Sequence, residues 1–256
     1  MARSASATAI RFHAAITKAT VAAAIASASA VAVAGCVTTQ QRNARTVLLN
    51  ERTLATETAV RVSRENPLVR VGDVSLVHSR AGAGFAVRIA NTSPRPLTDL
   101  PISVGVLGGH GRRLYLNGAA STDYYSTHVP SIAARDQVTW VARTGRQAPA
   151  GLRPFALVGV ARTPPSTAAR TLPRIVATAP RPRAGRLRVA LSNESGIPQY
   201  GLQVYAVVTK SGHTVAVGRA TIAQLRDGAR SNVSLILEGR TSGAAVRVYA
   251  LPTIFH

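Results

Sequence analysis

The sequence predicts an all-β chain: two tandem β-sandwiches that follow an export leader and a polar tether. Three observations carry this expectation. Beyond residue 66 apolar and polar residues alternate with a period of two, turn-forming residues separate the alternating runs, and the later runs repeat the earlier ones. Alternation is the pattern of a half-buried strand, whose successive side chains point to opposite faces. Hydrophobic residues make up 46% of the 256, enough to bury a core, while the low aromatic content (4%) favours small, thin domains.

The first element is the leader, residues 1–35. Residues 1–20, MARSASATAIRFHAAITKAT, are basic and free of acid, and residues 21–35, VAAAIASASAVAVAG, carry no charge. The apolar run is shorter than the roughly 20 residues a spanning helix needs and matches the hydrophobic region of an export signal. The chain's single cysteine, Cys36, ends it. Val33-Ala34-Gly35-Cys36 resembles a bacterial lipobox. The resemblance implies that the Cys36 thiol receives a diacylglycerol and that a peptidase cuts between Gly35 and Cys36. Two acyl chains give the double anchor that stable membrane attachment requires. With no second cysteine the thiol has no disulfide partner. The competing reading is a buried cysteine in a plain transmembrane anchor.

Residues 36–66 are polar, with Val47, Leu48, Leu54 and Val60 too sparse for a helical stripe. We read them as a tether, with room for a short helix over 42–52. The first sandwich then spans 67–163. VRVGDVSLV opens it, FAVRIANTS sets Phe85, Val87 and Ile89 opposite Arg88, and QVTWVAR aligns Val138, Trp140 and Ala142. Residues 164–173 form a Pro-rich linker, unable to join a sheet. The second sandwich, 174–256, opens with RIVATA. Leu187, Val189 and Leu191 lie opposite Arg186 and Arg188; Val233, Leu235 and Leu237 follow, then Val246 and Val248. GGHG, KSGH and RDGARSN supply turns.

The two regions overlay along FAVRIANTSPRPLTDLPISVGVLGGHG and LRVALSNESGIPQYGLQVYAVVTKSGH. Asn91 falls on Asn193, Ser93 on Ser195, Pro96 on Pro198, Leu100 on Leu202 and, with one residue dropped, Gly111 on Gly212. Further on, ARDQVTWVA is laid over ARSNVSLIL, pairing Arg135 with Arg230 and Val138 with Val233. Units of this size and strand rhythm suit immunoglobulin-like sandwiches. The shared N-x-S-x-x-P…L-x-V…G pattern resembles the FxLYD or CARDB-like modules of bacterial envelope proteins, which implies an adhesive, scaffolding or binding role with no assigned chemistry.

The net charge is +21, nearly all from arginine; the lysines are Lys18 and Lys210. Taking Arg3, Arg11 and Lys18 of the leader from the 31 basic residues leaves 28 against 10 acidic ones. Such a field attracts polyanions such as wall polymers or anionic headgroups, although scattered arginines also arise from compositional bias. Nucleic acid is not expected as a partner, because the four Phe and one Trp are too sparse for base stacking.

Asn91-Thr92-Ser93, Asn193-Glu194-Ser195 and Asn232-Val233-Ser234 match the glycosylation pattern. The repeat position of the first two favours a turn role for Asn and Ser side chains. Residues 117–130, NGAASTDYYSTHVP, are the longest insertion of the first unit relative to the second. Asp123, Tyr124, Tyr125 and His128 make it the candidate interaction loop, against the plainer reading of tyrosines covering a core edge. The histidines are well separated, and neither an HExxH nor a GxSxG pattern occurs, so no catalytic residue, metal site or cofactor is expected. A hydrolase using Ser126 would be the catalytic rival. The expectation is a lipid-anchored protein on the outer face of a bacterial membrane. Its partners would be the membrane itself and an envelope protein or anionic polymer, in a non-catalytic interaction or scaffold role.

Overall fold

A computed structural model describes residues 61–117, 123–161, 171–180 and 182–253. The leader, Cys36, most of the tether and most of the linker lie outside the described residues. Among those described, strands dominate, two single 3-10 turns occur and no α-helix forms. The all-β expectation is met.

In the first half β1 (Val69–Ser79), β2 (Gly82–Asn91) and β6 (Gln137–Thr144) form an antiparallel sheet in the order β1-β2-β6. A second sheet centres on β3 (Leu97–Leu107), which pairs with β4 (Arg113–Tyr115), β5 (His128–Ile132) and β7 (Arg153–Val158). In the second half β8 (Ile175–Thr178), β9 (Arg186–Asn193), β10 (Gln199–Lys210), β11 (His213–Leu225), β12 (Arg230–Gly239) and β13 (Ala245–Leu251) follow one hydrogen-bonded path, β13-β10-β11-β12-β9-β8. Its shortest link is the pairing of β11 with β12, Ala216–Gly218 against Leu237–Gly239. A side chain on Gly218 would sit 2.7 Å from Leu237 Cδ2, so the strands approach this closely only because glycine stands there.

The alternation predicted from sequence sets the inward faces. Phe85, Val87, Ile89 and Trp140 are fully buried with Arg88 exposed, and Leu187, Val189 and Leu191 are buried between exposed Arg186 and Arg188. The Trp140 indole N–H donates to the His128 carbonyl (3.1 Å), which satisfies its one polar atom in the core.

The repeat is real in hydrogen bonds as well as in letters. Asn91 N–H donates to Asp136 O and Asn193 N–H to Ala229 O, both at 2.9 Å. Left-handed backbone recurs at matching places: Asp99 and Gly201, Gly111 and Gly212, Arg135 and Gly228. The structure corrects the last stretch of the overlay. Ile89 faces Val138 while its counterpart Leu191 faces Ser231, so Val138 corresponds to Ser231 and Arg135 to Gly228, two residues earlier than the sequence match placed them. A two-residue slip preserves which face each side chain occupies, so alternation alone cannot detect it.

Two further features concern the borders of the halves. Residues 62–66, read as the end of the tether, are docked: Val62 N–H donates to Ser103 Oγ (3.0 Å) and Asn66 N–H to Val158 O (2.9 Å). The edge of β7 and the β3 hydroxyl there need partners, and this segment supplies them. The halves are also not independent beads. Tyr205, Val207, Val217 and Leu251 of the second half are buried in the same apolar cluster as Phe85, Trp140 and Val141 of the first. Strand β10 therefore serves two cores: Leu202, Val204, Ala206 and Val208 point into its own, and Tyr205 and Val207 into the shared one. Glu238, nearly buried, pairs with Arg143 across the same junction at 2.5 Å.

Candidate functional site

The candidate loop arises where a strand is interrupted. In the second half β11 follows β10 along its length, from Lys210–His213 to Gln199–Leu225, with one bulge at Val208–Thr209. In the first half the corresponding partner of β3 leaves after Tyr115 and returns at His128. The exposed stretch of β3 backbone still needs partners. Asn117 provides them: its Oδ1 accepts from Val104 N–H (2.9 Å), and its Nδ2 donates to Ile102 O (2.9 Å) and Ser126 O (3.0 Å). Its side-chain amide stands in for a missing peptide of the ladder. Thr127 O accepts from Ile102 N–H at 2.8 Å to complete the patch. Sequence reading did not single out Asn117, although its amide is the side chain best suited to mimic backbone.

The four loop residues proposed from sequence are brought together, and most of their polar atoms face inward. Tyr124 donates its hydroxyl to Asp99 and stacks flat on the His128 ring, with centroids 4.0 Å apart and planes 5° off parallel. Tyr125 meets Tyr124 edge-on at 5.3 Å and is 3% exposed. His128 is buried, its Nδ1 within 3.0 Å of Thr127 Oγ1 and 3.2 Å of Tyr124 O. The Asp123 side chain alone of the four is largely exposed. The tyrosine and histidine rings thus close the edge of the core, and Asp123 and the outer part of Tyr124 form the accessible surface.

A residue missed from sequence organises this corner. The Arg219 side chain, from β11, is 7% exposed. It pairs with Asp123 Oδ1 at 2.5 Å and donates to Ser126 Oγ (2.8 Å) and Gln203 Oε1 (2.7 Å). Ser126 in turn donates to Asp123 Oδ2 at 3.0 Å. The guanidinium therefore clasps the loop of one half to the sheet of the other, with its charge met by a carboxylate and two neutral acceptors. Beneath it, Tyr205 is fully buried. Desolvation holds its phenol well above its ordinary value of 10.0, a shift that the Arg219 cation opposes and Asp123 reinforces.

This geometry bears on the chemistry open to the loop. Nucleophilic catalysis needs a hydroxyl within reach of an imidazole base. The hydrogen bonds seen here direct Ser126 Oγ to Asp123 and Arg219, and His128 Nδ1 to Thr127 and Tyr124. Among the described residues no three of His, Cys, Asp or Glu gather as a metal site would require, and no helix is long and apolar enough to cross a membrane.

Elsewhere an open cleft of about 1230 Å³ between the halves is lined by residues that include Asp73, Arg88, Asp136, His213, Arg247 and Tyr249. Its charges are mixed, and Arg88 is engaged by Asp73 at 3.1 Å.

The sequons resolve by burial. Asn91 and Asn193 are 2% and 1% exposed and are consumed by the turns that follow them. Asn232 is exposed on β12. No family model matches the chain, and no curated protein matches it in sequence.

Proposed function

We propose that this chain is a lipid-anchored envelope protein. Acylated Cys36 would hold it on the outer face of a bacterial membrane, and its two repeats, immunoglobulin-like sandwich modules in this reading, would act as one non-catalytic interaction block. The observation that carries the reading is the single cysteine at the end of Val33-Ala34-Gly35-Cys36, directly after a charge-free run and a basic, acid-free start. The shared core and the Arg219 clasp support the scaffold side of the reading, because a body fixed at its junction presents surfaces in constant relation to one another.

Mass spectrometry of the protein purified from cells tests the anchor. The expected mature chain starts at Cys36 and carries diacylglycerol, and a Cys36→Ala variant accumulates uncut and unacylated. A native product that retains Met1, or a Cys36→Ala variant processed like the parent, would refute it. A serine-hydrolase probe that labels Ser126 would overturn the non-catalytic part.

A further inference from the structure

We infer that the outward face of β9 and β12 docks on an anionic phospholipid surface. The two strands pair with Ile236 opposite Arg186, Ser234 opposite Arg188, Asn232 opposite Ala190 and Arg230 opposite Ser192. Period-two alternation puts these residues on one side, because their neighbours Leu187, Val189 and Leu235 point into the core. The hairpin before β9 adds Arg183, whose backbone pairs with Arg186. Arg183, Arg186, Arg188 and Arg230 are all exposed, and so is Ile236, at 54% the most exposed of the large hydrophobic residues described.

This combination is specific in three ways. The Arg183–Arg188 end of the face carries no carboxylate, and the next acid along β12, Glu238, is buried and engaged by Arg143. The side chains between the arginines are short (Ser192, Ala190, Ser234), so a flat surface can approach the guanidinium groups. An isoleucine standing among arginines is the amphipathic pairing of an interfacial site: cations at phosphate level and an apolar side chain reaching below it. The mixed charges of the cleft between the halves offer no such match.

The choice of occupant rests on the Cys36 reading. Val62 lies 26 positions after Cys36. Fully extended, that stretch spans at most about 90 Å, so an acylated chain keeps this face within reach of the bilayer. Each arginine near an anionic surface contributes about fivefold in partitioning.

The test uses the unacylated chain beginning at Val37, which keeps every described strand. Its co-sedimentation is measured with phosphatidylcholine vesicles and with vesicles containing phosphatidylglycerol. We expect binding to the anionic vesicles alone, weakening as salt is raised. The triple Arg183→Gln, Arg186→Gln, Arg188→Gln variant should lose on the order of a hundredfold, and Ile236→Ser several-fold. The matching lysine triple should retain binding, and Trp140 emission confirms that every variant is folded. A triple to glutamine at the exposed Arg70, Arg95 and Arg153 of the first half should lose far less. Equal loss in that control, or no binding of the parent to anionic vesicles, would overturn the inference. So would a glutamine triple that still binds vesicles but no longer binds a purified anionic wall polymer. Acylation of Cys36 is read separately by mass, so the anchor can stand while the docking face fails.

Discussion

Asn91 and Asn193, 102 positions apart, perform one task in the two halves. Each directs its side-chain N–H groups to the carbonyl four residues on, Arg95 at 2.7 Å and Ile197 at 2.9 Å, and to a carbonyl across the strand turn, Ala133 at 2.9 Å and Arg226 at 3.0 Å. Each accepts, through Oδ1, from the backbone N–H two residues later, that of Ser93 or Ser195. The side chain pins three pieces of backbone at the point where one sheet hands over to the next.

Replacing either asparagine by aspartate removes the donors and sets a carboxylate against carbonyl oxygens. Each change should destabilise the chain by about 2–3 kcal/mol, lowering Tm by roughly 5–10 °C. Urea unfolding of Asn91→Asp and Asn193→Asp checks this. A cost below about 0.5 kcal/mol at both sites would show that the turns stand without them.

Packing of the halves depends on one missing side chain. A Cβ on Gly84 of β2 would run into Val217 of β11. Gly84→Ala should therefore cost about 1–3 kcal/mol through overpacking. Adding Val217→Ala should recover part of the loss, since the pair would share the vacated volume. A double-mutant cycle with no coupling would mean that the sheets can part at this point without cost.

Tyr205 supplies a pH signature. Its hydroxyl is buried and has no hydrogen-bond partner among the described residues. Its phenol stays protonated in the fold while the unfolded chain ionises near 10.0. The stability linked to it is thus complete below pH 10 and declines as pH rises above that value, because the unfolded state releases its proton first. Tyr205→Phe should leave stability at pH 7 unchanged or up to about 1 kcal/mol higher, since an unpaired hydroxyl is removed. It should also flatten the alkaline fall. A loss above about 1 kcal/mol at pH 7 would reveal a hydroxyl doing structural work.

Much of the fold was legible in the letters. The inward sets Phe85-Val87-Ile89 and Leu187-Val189-Leu191 follow from alternation, and the turn role of the paired Asn-x-Ser positions follows from their recurrence. GGHG and KSGH fall where strands reverse, with Gly111 and Gly212 in left-handed backbone that glycine adopts without strain. The insertion at 117–130 was found by comparing the halves, and the structure identifies it as an interruption in a strand. The anchor reading at Cys36 lies outside the described residues.

Other features were hidden because they depend on residues far apart in sequence. Arg219 and Asp123 are 96 positions apart, and nothing local marks either as a partner of the other. The run Val204–Val208 is buried on both faces, and nothing local in its letters names what covers the second face. Asn117 looks like an ordinary loop residue until the gap in the β3 ladder is visible.

By itself, the sequence determined the strand faces, the turns, the internal repeat and the excess of arginine, since each is set by near neighbours along the chain. Only the tertiary structure decided that the halves share a core, that Arg219 clasps the loop, and that Ile236 stands opposite Arg186. Those outcomes depend on which surfaces meet after the strands have formed, and a period-two pattern is identical whether its outer face meets water or another sheet.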